Sequence, residues 1–229
     1  MHLSFCTYNL YVHHTDCMTT GQHRGRPPSR PASSAIAERA ESTRNALVTA
    51  ARQLFVERGY HATSTEDIVG LADVGTRGAL YHHFADKRAL FVAVFEAVEE
   101  DLVAAAATAI TGDAPPLETL RQGLLGFLDA SLNPEVQRIL LIDGPAVLGW
   151  RDWRAIEARY GLGGIRAMLE LAVADGSLPD QPLEVLAHLL LATADEAALY
   201  IANAEDPTAA RNDAVASMDR LLSGLSRAD

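Results

Sequence analysis

Few folds are open to a chain that carries GYHATSTEDIVGLADVGTRGALYHHFADKRALF between Gly59 and Phe91. Thr63 stands three residues before Glu66 and Ser64 three before Asp67, so either pair can form a capping box that starts a helix. Ile68, Leu71 and Ala72 then recur at helical spacing and are expected to face inward. Gly75 and Gly78 bracket a turn. A second short helix, about Arg77 to Phe84, puts Leu80 and Phe84 on one side and leaves Arg77, Tyr81 and His82 on the other. Helices this short are not stable alone. Joined by a tight turn and carried on longer helices they form a helix-turn-helix, whose second helix fits a DNA major groove. Its outward face offers a guanidinium, a phenol and imidazoles, all suited to phosphates and base edges.

The next segment adds a charge argument. Asp86 is a natural N-cap, yet Lys87 and Arg88 occupy the first helical turn, where the positive end of the macrodipole disfavours cations. Lys87 is also the one lysine in the chain. A phosphate in front of it would account for its place, against the alternative of a solvated surface lysine.

Four segments, in order and at matching distances, resemble the DNA-binding domain of tetracycline-repressor (TetR) family regulators from about Thr43 to Leu102. They are A-x-x-L-F-x-x-x-G-Y (Ala51 to Tyr60), T-S-T-E-D-I (Thr63 to Ile68), T-R-G-A-L-Y-H-H-F (Thr76 to Phe84) and D-K-R-A-L-F (Asp86 to Phe91). Between Ile68 and Arg77, around Asp73-Val74-Gly75, the chain holds one residue more than the commonest family pattern. The resemblance implies that Thr65, Thr76, Gly78 and Lys87 hold phosphates, the glycine through its amide. It implies that Arg77, Tyr81, His82 and His83 line or support the groove-facing surface, with His83 equally readable as a structural residue. In these regulators the C-terminal helices form a ligand pocket and a dimer interface.

The 229 residues suffice for a sizeable core and one or two domains. Long periodic segments rich in Ala and Leu point to an all-α protein: a three-helix, helix-turn-helix DNA-binding domain over residues 37–100 and a helical effector-binding and dimerisation domain over 101–229. The net charge of −11 argues against general nucleic-acid adhesion. It is unevenly spread, with 10 Lys+Arg against 11 Asp+Glu up to residue 100 and 9 against 19 beyond, which fits DNA contact through one small face. Cys6 and Cys17 form neither a disulfide framework nor a metal spacing, and a reducing cytoplasm is the default. No apolar run is expected to span a membrane, and the start lacks a signal-peptide pattern.

Residues 1–17 match nothing that follows, and Met18 is read as the native start. Residues 1–36 are expected to be a disordered leader and basic arm. Within them Arg24-Gly25-Arg26-Pro27 resembles an AT-hook, with an ordinary basic tail as the alternative. Helices are expected at about Ala37–Arg58, Asp86–Ile110, Leu117–Leu132, Pro134–Leu148, Trp150–Ala174, Pro182–Ala204 and Pro207–Leu225. Gly161-Leu162-Gly163-Gly164 reads as a packing point or kink. On the last two helices Leu183, Leu186, Leu190 and Ala197, and Val215, Met218, Leu222 and Leu225, make stripes suited to a homodimer's four-helix bundle or to an internal core.

Candidate effector-lining residues are Phe127, Asp143, Trp150, Trp153, Tyr160, Met168, His188 and Asp195, because aromatics and isolated polar groups share apolar helices there. The plainer reading makes the aromatics core and pairs Asp195 with an arginine across the dimer. No G-x-S-x-G, H-E-x-x-H, C-x-x-C or phosphate loop is present. Adjacent His82 and His83 diverge on a helix, so neither a metal nor a cofactor is expected. The expected function is a ligand-responsive transcriptional regulator, a repressor released from a palindromic operator by a small-molecule effector. The rival is a helical enzyme or carrier that no longer reads DNA.

Overall fold

In the computed structural model the described residues are 32–225. The AT-hook-like arm, the two cysteines and the leader up to residue 31 lie outside them, whereas residues 32–36, expected to be disordered, are helical. Helix α1 (Ala32–Arg58) begins five residues before the expected Ala37 and buries Leu47, Ala51, Leu54 and Phe55 along the expected stripe. It stops at Gly59, whose φ of +81° is open to glycine at little cost and whose amide bonds to the Phe55 carbonyl at 2.8 Å. Arg138 packs where a Cβ on Gly59 would lie.

Helix α2 (Thr65–Ala72) is capped by Ser64, with the reciprocal Ser64–Asp67 box formed. The Thr63–Glu66 alternative is not used. Thr63 is buried, and its hydroxyl lies 3.2 Å from the Leu54 carbonyl oxygen and 2.9 Å from that of Gly59. Ile68 is buried as expected, whereas Leu71 is exposed and Val69 takes the inward position. The turn between α2 and the next helix contains two residues of positive φ, Asp73 at 52° and Gly75 at +86°. Helix α3 (Arg77–His83) rests on α1 and α2 through Leu80 and Phe84.

Helix α4 (Lys87–Ala107), N-capped by Asp86, runs from this domain into the C-terminal one. Its buried stripe is Leu90, Phe91, Val94, Phe95, Val98 and Leu102. Helix α5 (Pro116–Ala130) packs against its far half. Each of the next two expected helices contains a wide turn. The first comprises α6 (Pro134–Val136), a π-helical segment Gln137–Asp143 and α7 (Gly144–Leu148). The second comprises α8 (Trp150–Glu157), a π-helical segment Ala158–Leu162 and α9 (Gly163–Ala174), so the expected irregularity at Gly161 is a π turn.

Helices α10 (Leu183–Ala202) and α11 (Pro207–Ser223) complete the domain. The stripes expected to suit a homodimer's bundle or an internal core lie against the chain's own core. Leu190, Met218 and Leu222 belong to the core, and Leu183, Leu186, Ala197, Val215 and Leu225 pack against it. The apolar side chains left outward are Val185, Leu189 and Tyr200 on α10 and Leu221 on α11. With 20 residues and a mean hydropathy of 1.5, α10 is long and apolar enough to cross a membrane, contrary to the sequence expectation. Here it packs on α5, α9 and α11 and carries Asp195 on its inner side, the arrangement of a core helix.

Candidate nucleic-acid interface and effector cavity

The outward face of α3 follows from its inward one. Leu80 and Phe84, four residues apart, fix the helix against α1, and Arg44 of α1 covers the Phe84 ring at 5.4 Å. Arg77, Tyr81 and His82 are therefore exposed. The Arg77 guanidinium pairs with Glu66 of α2 at 2.6 Å and donates toward the Tyr81 hydroxyl at 3.4 Å. Its proximity, with that of Thr65, draws the Tyr81 phenol below its ordinary pKa. His83 is half-buried, its ring edge-on to that of His82 at 5.2 Å. Thr76 is the N-cap of α3 and makes no capping bond with its side chain, and Gly78 beside it is exposed. Thr65 opens α2 on the same side, its hydroxyl bonded to Glu66.

Lys87 has partners the sequence did not disclose. Its ammonium donates to the carbonyls of Tyr60 and Thr63, both at 2.9 Å, and lies 4.1 Å from the centre of the Tyr60 ring. These groups hold the cation in place against the helix dipole without any phosphate, and partial burial lowers its pKa. An ammonium has three donors, so one remains beyond the two carbonyl bonds.

A second set of polar contacts ties this unit to the rest. Asp143, buried at the end of the first π segment, accepts from the Tyr60 amide at 2.9 Å and from Arg138 at 3.1 Å. Arg52 of α1 bridges Glu135 of α6 and Asp101 of α4, each at 2.7 Å. Arg88 reaches the Leu148 carbonyl at 3.0 Å and Asp152 at 2.6 Å.

A cavity of about 550 Å³ opens between the far half of α4, α5, the second π segment, α9 and α10. Of the residues expected to line a ligand site, Phe127, Tyr160, Met168 and Asp195 do so. Four others lie elsewhere. Asp143 serves the domain junction. Trp153 is buried, its indole donating to the Leu140 carbonyl at 3.2 Å, and Trp150 is 67% exposed beside it. His188 is on the outer side of α10, 3.5 Å from Glu184. The expectation that Asp195 pairs across a dimer is also corrected, because Arg154 of the same chain binds it at 2.9 Å.

Two acids of the wall were not anticipated as lining it, Glu99 of α4 and Glu157 of α8. Arg154 binds Glu157 at 2.8 Å and lies over both tryptophan rings. Burial, reinforced by Asp195, raises the Glu99 carboxyl to about 8. Burial also raises Glu157 and Asp195, in both cases outweighing the opposing pull of Arg154. A carboxyl whose folded pKa lies above its unfolded value contributes stability that is complete below the unfolded pKa, near 4.5, and is lost as pH rises through the folded one. Thermal stability is therefore expected to fall between about pH 6 and pH 8, Glu99 accounting for on the order of 2 kcal/mol. Glu99→Gln should flatten that slope in melts across this range. An unchanged slope would place the titration elsewhere.

A helix-turn-helix on a long helix that also walls an apolar cavity defines the class: a DNA-binding regulator with a separate helical domain. Comparison with known sequences agrees. Residues 47–94 match the bacterial regulatory proteins of the tetR family, and residues 117–225 match the tetracyclin repressor-like C-terminal domain. The TetC protein of transposon Tn10 from Escherichia coli is 31% identical over 155 residues, spanning 67% of this chain and 77% of that protein. The regulator AcrR of Shigella flexneri is 35% identical over 107 residues, 45% of this chain and 48% of AcrR. The crystal structure of a TetR-family regulator from Pectobacterium atrosepticum superposes with a TM-score of 0.70 at 34% identity, covering 83% of this chain and 97% of that one. The chain belongs to the TetR family, whose members are transcription regulators.

Proposed function

We propose that the protein is a cytoplasmic repressor that binds a palindromic operator as a homodimer and leaves it when a small molecule fills the cavity. The observation that carries this reading is the solvent-facing row of Arg77, Tyr81 and His82 on a helix anchored from behind by Leu80 and Phe84. In this reading Arg77 exchanges Glu66 for a base edge or phosphate, and Tyr81 and His82 contact the groove. His83 supports the helix from its half-buried position. Thr65, Thr76, the Gly78 amide and the remaining donor of Lys87 bind phosphates. Pairing of two chains through the outward apolar side chains of α10 and α11 sets the spacing of the two reading helices.

Release follows from the two roles of α4. One end holds Lys87 beneath the reading unit, and the other presents Glu99 and Leu102 to the cavity. An effector that binds one tilt of α4 more tightly than the other shifts the population away from the spacing that fits the operator. The discriminating experiment is titration of DNA from the region upstream of the gene, with variants of the reading face. Arg77→Ala and Tyr81→Ala are each expected to weaken specific binding by about 1–3 kcal/mol, with Arg77→Ala also relaxing base preference at one position. Wild-type affinity in both variants would refute the assigned face and favour the helical carrier.

A further inference from the structure

Around the effector cavity, among the described residues, acids outnumber bases. Its wall brings together Glu99 from α4, Glu157 from α8 and Asp195 from α10. Among the described residues the cation paired with this group is Arg154, bound to Glu157 and Asp195. Tyr160 on the second π segment also lines the space, and Glu96, Glu100 and Arg159 lie close enough to act on its phenol.

Glu99 stands apart from the other two acids. It is 6% exposed, so more than nine-tenths buried, and its carboxyl makes no hydrogen bond or ion pair among the described residues. No buried side-chain oxygen among those residues is both sealed from all space and unpartnered, so the Glu99 carboxyl opens onto the cavity itself. A carboxylate placed there without a counterion is costly, and a cation supplied from outside removes the cost. Most of the remaining wall is apolar, with Leu102, Leu120 and Leu124 on one side and Ile165, Met168 and Leu191 on the other. The aromatic rings of Phe127 and Tyr160 add faces that attract a positive nitrogen.

We propose that the molecule this cavity takes is an apolar organic cation, an ammonium or amidinium on a hydrophobic skeleton, whose charged nitrogen sits against Glu99. This rests on the reading of the cavity as the effector site and names the chemistry of its occupant. Glu99 holds a proton when the cavity is empty, because burial opposes its ionisation. When the cation enters, the Glu99 O–H bond breaks, the proton passes to the buffer and the carboxylate pairs with the ammonium. A quaternary ammonium has no proton to lose, so any proton released with it comes from the protein.

The test uses the full chain and three probes with one skeleton: (4-phenylbutyl)trimethylammonium, 4-phenylbutanol and 4-phenylbutanoate. Calorimetric titration near neutral pH, in two buffers of different ionisation enthalpy, gives affinity and proton release together. The expected result is binding of the cation about tenfold tighter than the alcohol, the carboxylate weakest, with about one proton released per cation bound. In Glu99→Gln, shown to be folded by its thermal midpoint, cation affinity should drop to that of the alcohol and proton release should vanish. Equal or tighter binding of the alcohol, preference for the carboxylate, undiminished cation affinity in Glu99→Gln, or no binding of any probe would each overturn the proposal. Operator release, followed in parallel by fluorescence anisotropy, separates the two readings. A cation that binds as described yet leaves DNA binding intact refutes the effector role and not the ligand class. Release by the alcohol in preference to the cation does the reverse.

Discussion

Phe91→Ala is expected to lower the stability of the chain by about 4 kcal/mol, the usual cost of removing a fully buried aromatic ring from a well-packed site. Phe91 is wholly buried, and three rings surround it, those of Phe55 at 5.4 Å, Tyr60 at 5.1 Å and Phe95 at 6.4 Å. The cluster joins α1 to α4 and supports the Tyr60 ring on which the Lys87 ammonium rests. The loss should therefore reach DNA binding as well as stability. Urea denaturation gives the first quantity. Operator titration at low temperature, where the variant is still folded, gives the second. A cost below about 1 kcal/mol would mean that the neighbouring rings collapse into the space, and that α4 is less firmly fixed than its packing indicates.

Asp143→Ala should cost about 3 kcal/mol and, beyond that, disconnect the two domains. The carboxylate accepts from the Tyr60 amide and from Arg138, and truncation leaves the part-buried Tyr60 amide without its acceptor and removes the ion pair that holds the half-exposed Arg138 in place. Asp143 ends the first π segment, whose Leu140 carbonyl is bonded to Trp153 of α8, the helix that brings Glu157 to the cavity. The cavity wall and the turn that seats Lys87 are thus joined by one chain of contacts. In the alanine variant an effector that still binds should shift operator affinity much less than in the wild type. Asp143→Asn keeps an oxygen for the Tyr60 amide and should recover most of the stability. Full effector response in a folded Asp143→Ala protein would leave α4 as the sole carrier of the signal.

The sequence disclosed the helices better than it disclosed what their side chains do. Proline, glycine and capping residues act locally, so Ser64, Asp86, Pro134 and Pro207 placed helix starts within a residue or two. The π turns at Gln137–Asp143 and Ala158–Leu162 were not predictable in kind, because widening a turn depends on what packs against it. Leu71 and Val69 exchanged roles because α2 is only eight residues long and its period does not fix which side faces α1.

The cavity was half legible. Phe127, Tyr160 and Met168 stood out as large side chains on apolar helices, but the same rule selected Trp150 and Trp153, which serve Arg154 and the first π segment. Glu99 and Glu157 each lay in the record as an acid at an apolar register, Glu99 four residues after Phe95 and Glu157 four after Trp153. A run of neighbouring acids, Glu96, Glu99, Glu100 and Asp101, disguised the first as part of a solvated face. Lys87 stood out in the sequence as a cation at a helix start, while the carbonyls that hold it come from residues 24 and 27 positions earlier in the chain, beyond any local pattern.

Gly59 sits where the two domains meet, with Arg138 occupying the place of its missing Cβ. Any missense mutation of a glycine codon installs a side chain or a proline ring, so no single-base error that changes this amino acid leaves the junction untouched. Random mutagenesis of the gene should accordingly yield defective alleles at this codon out of proportion to its distance from both DNA and effector. Such alleles would be misassigned to either site if phenotype alone were used to map them.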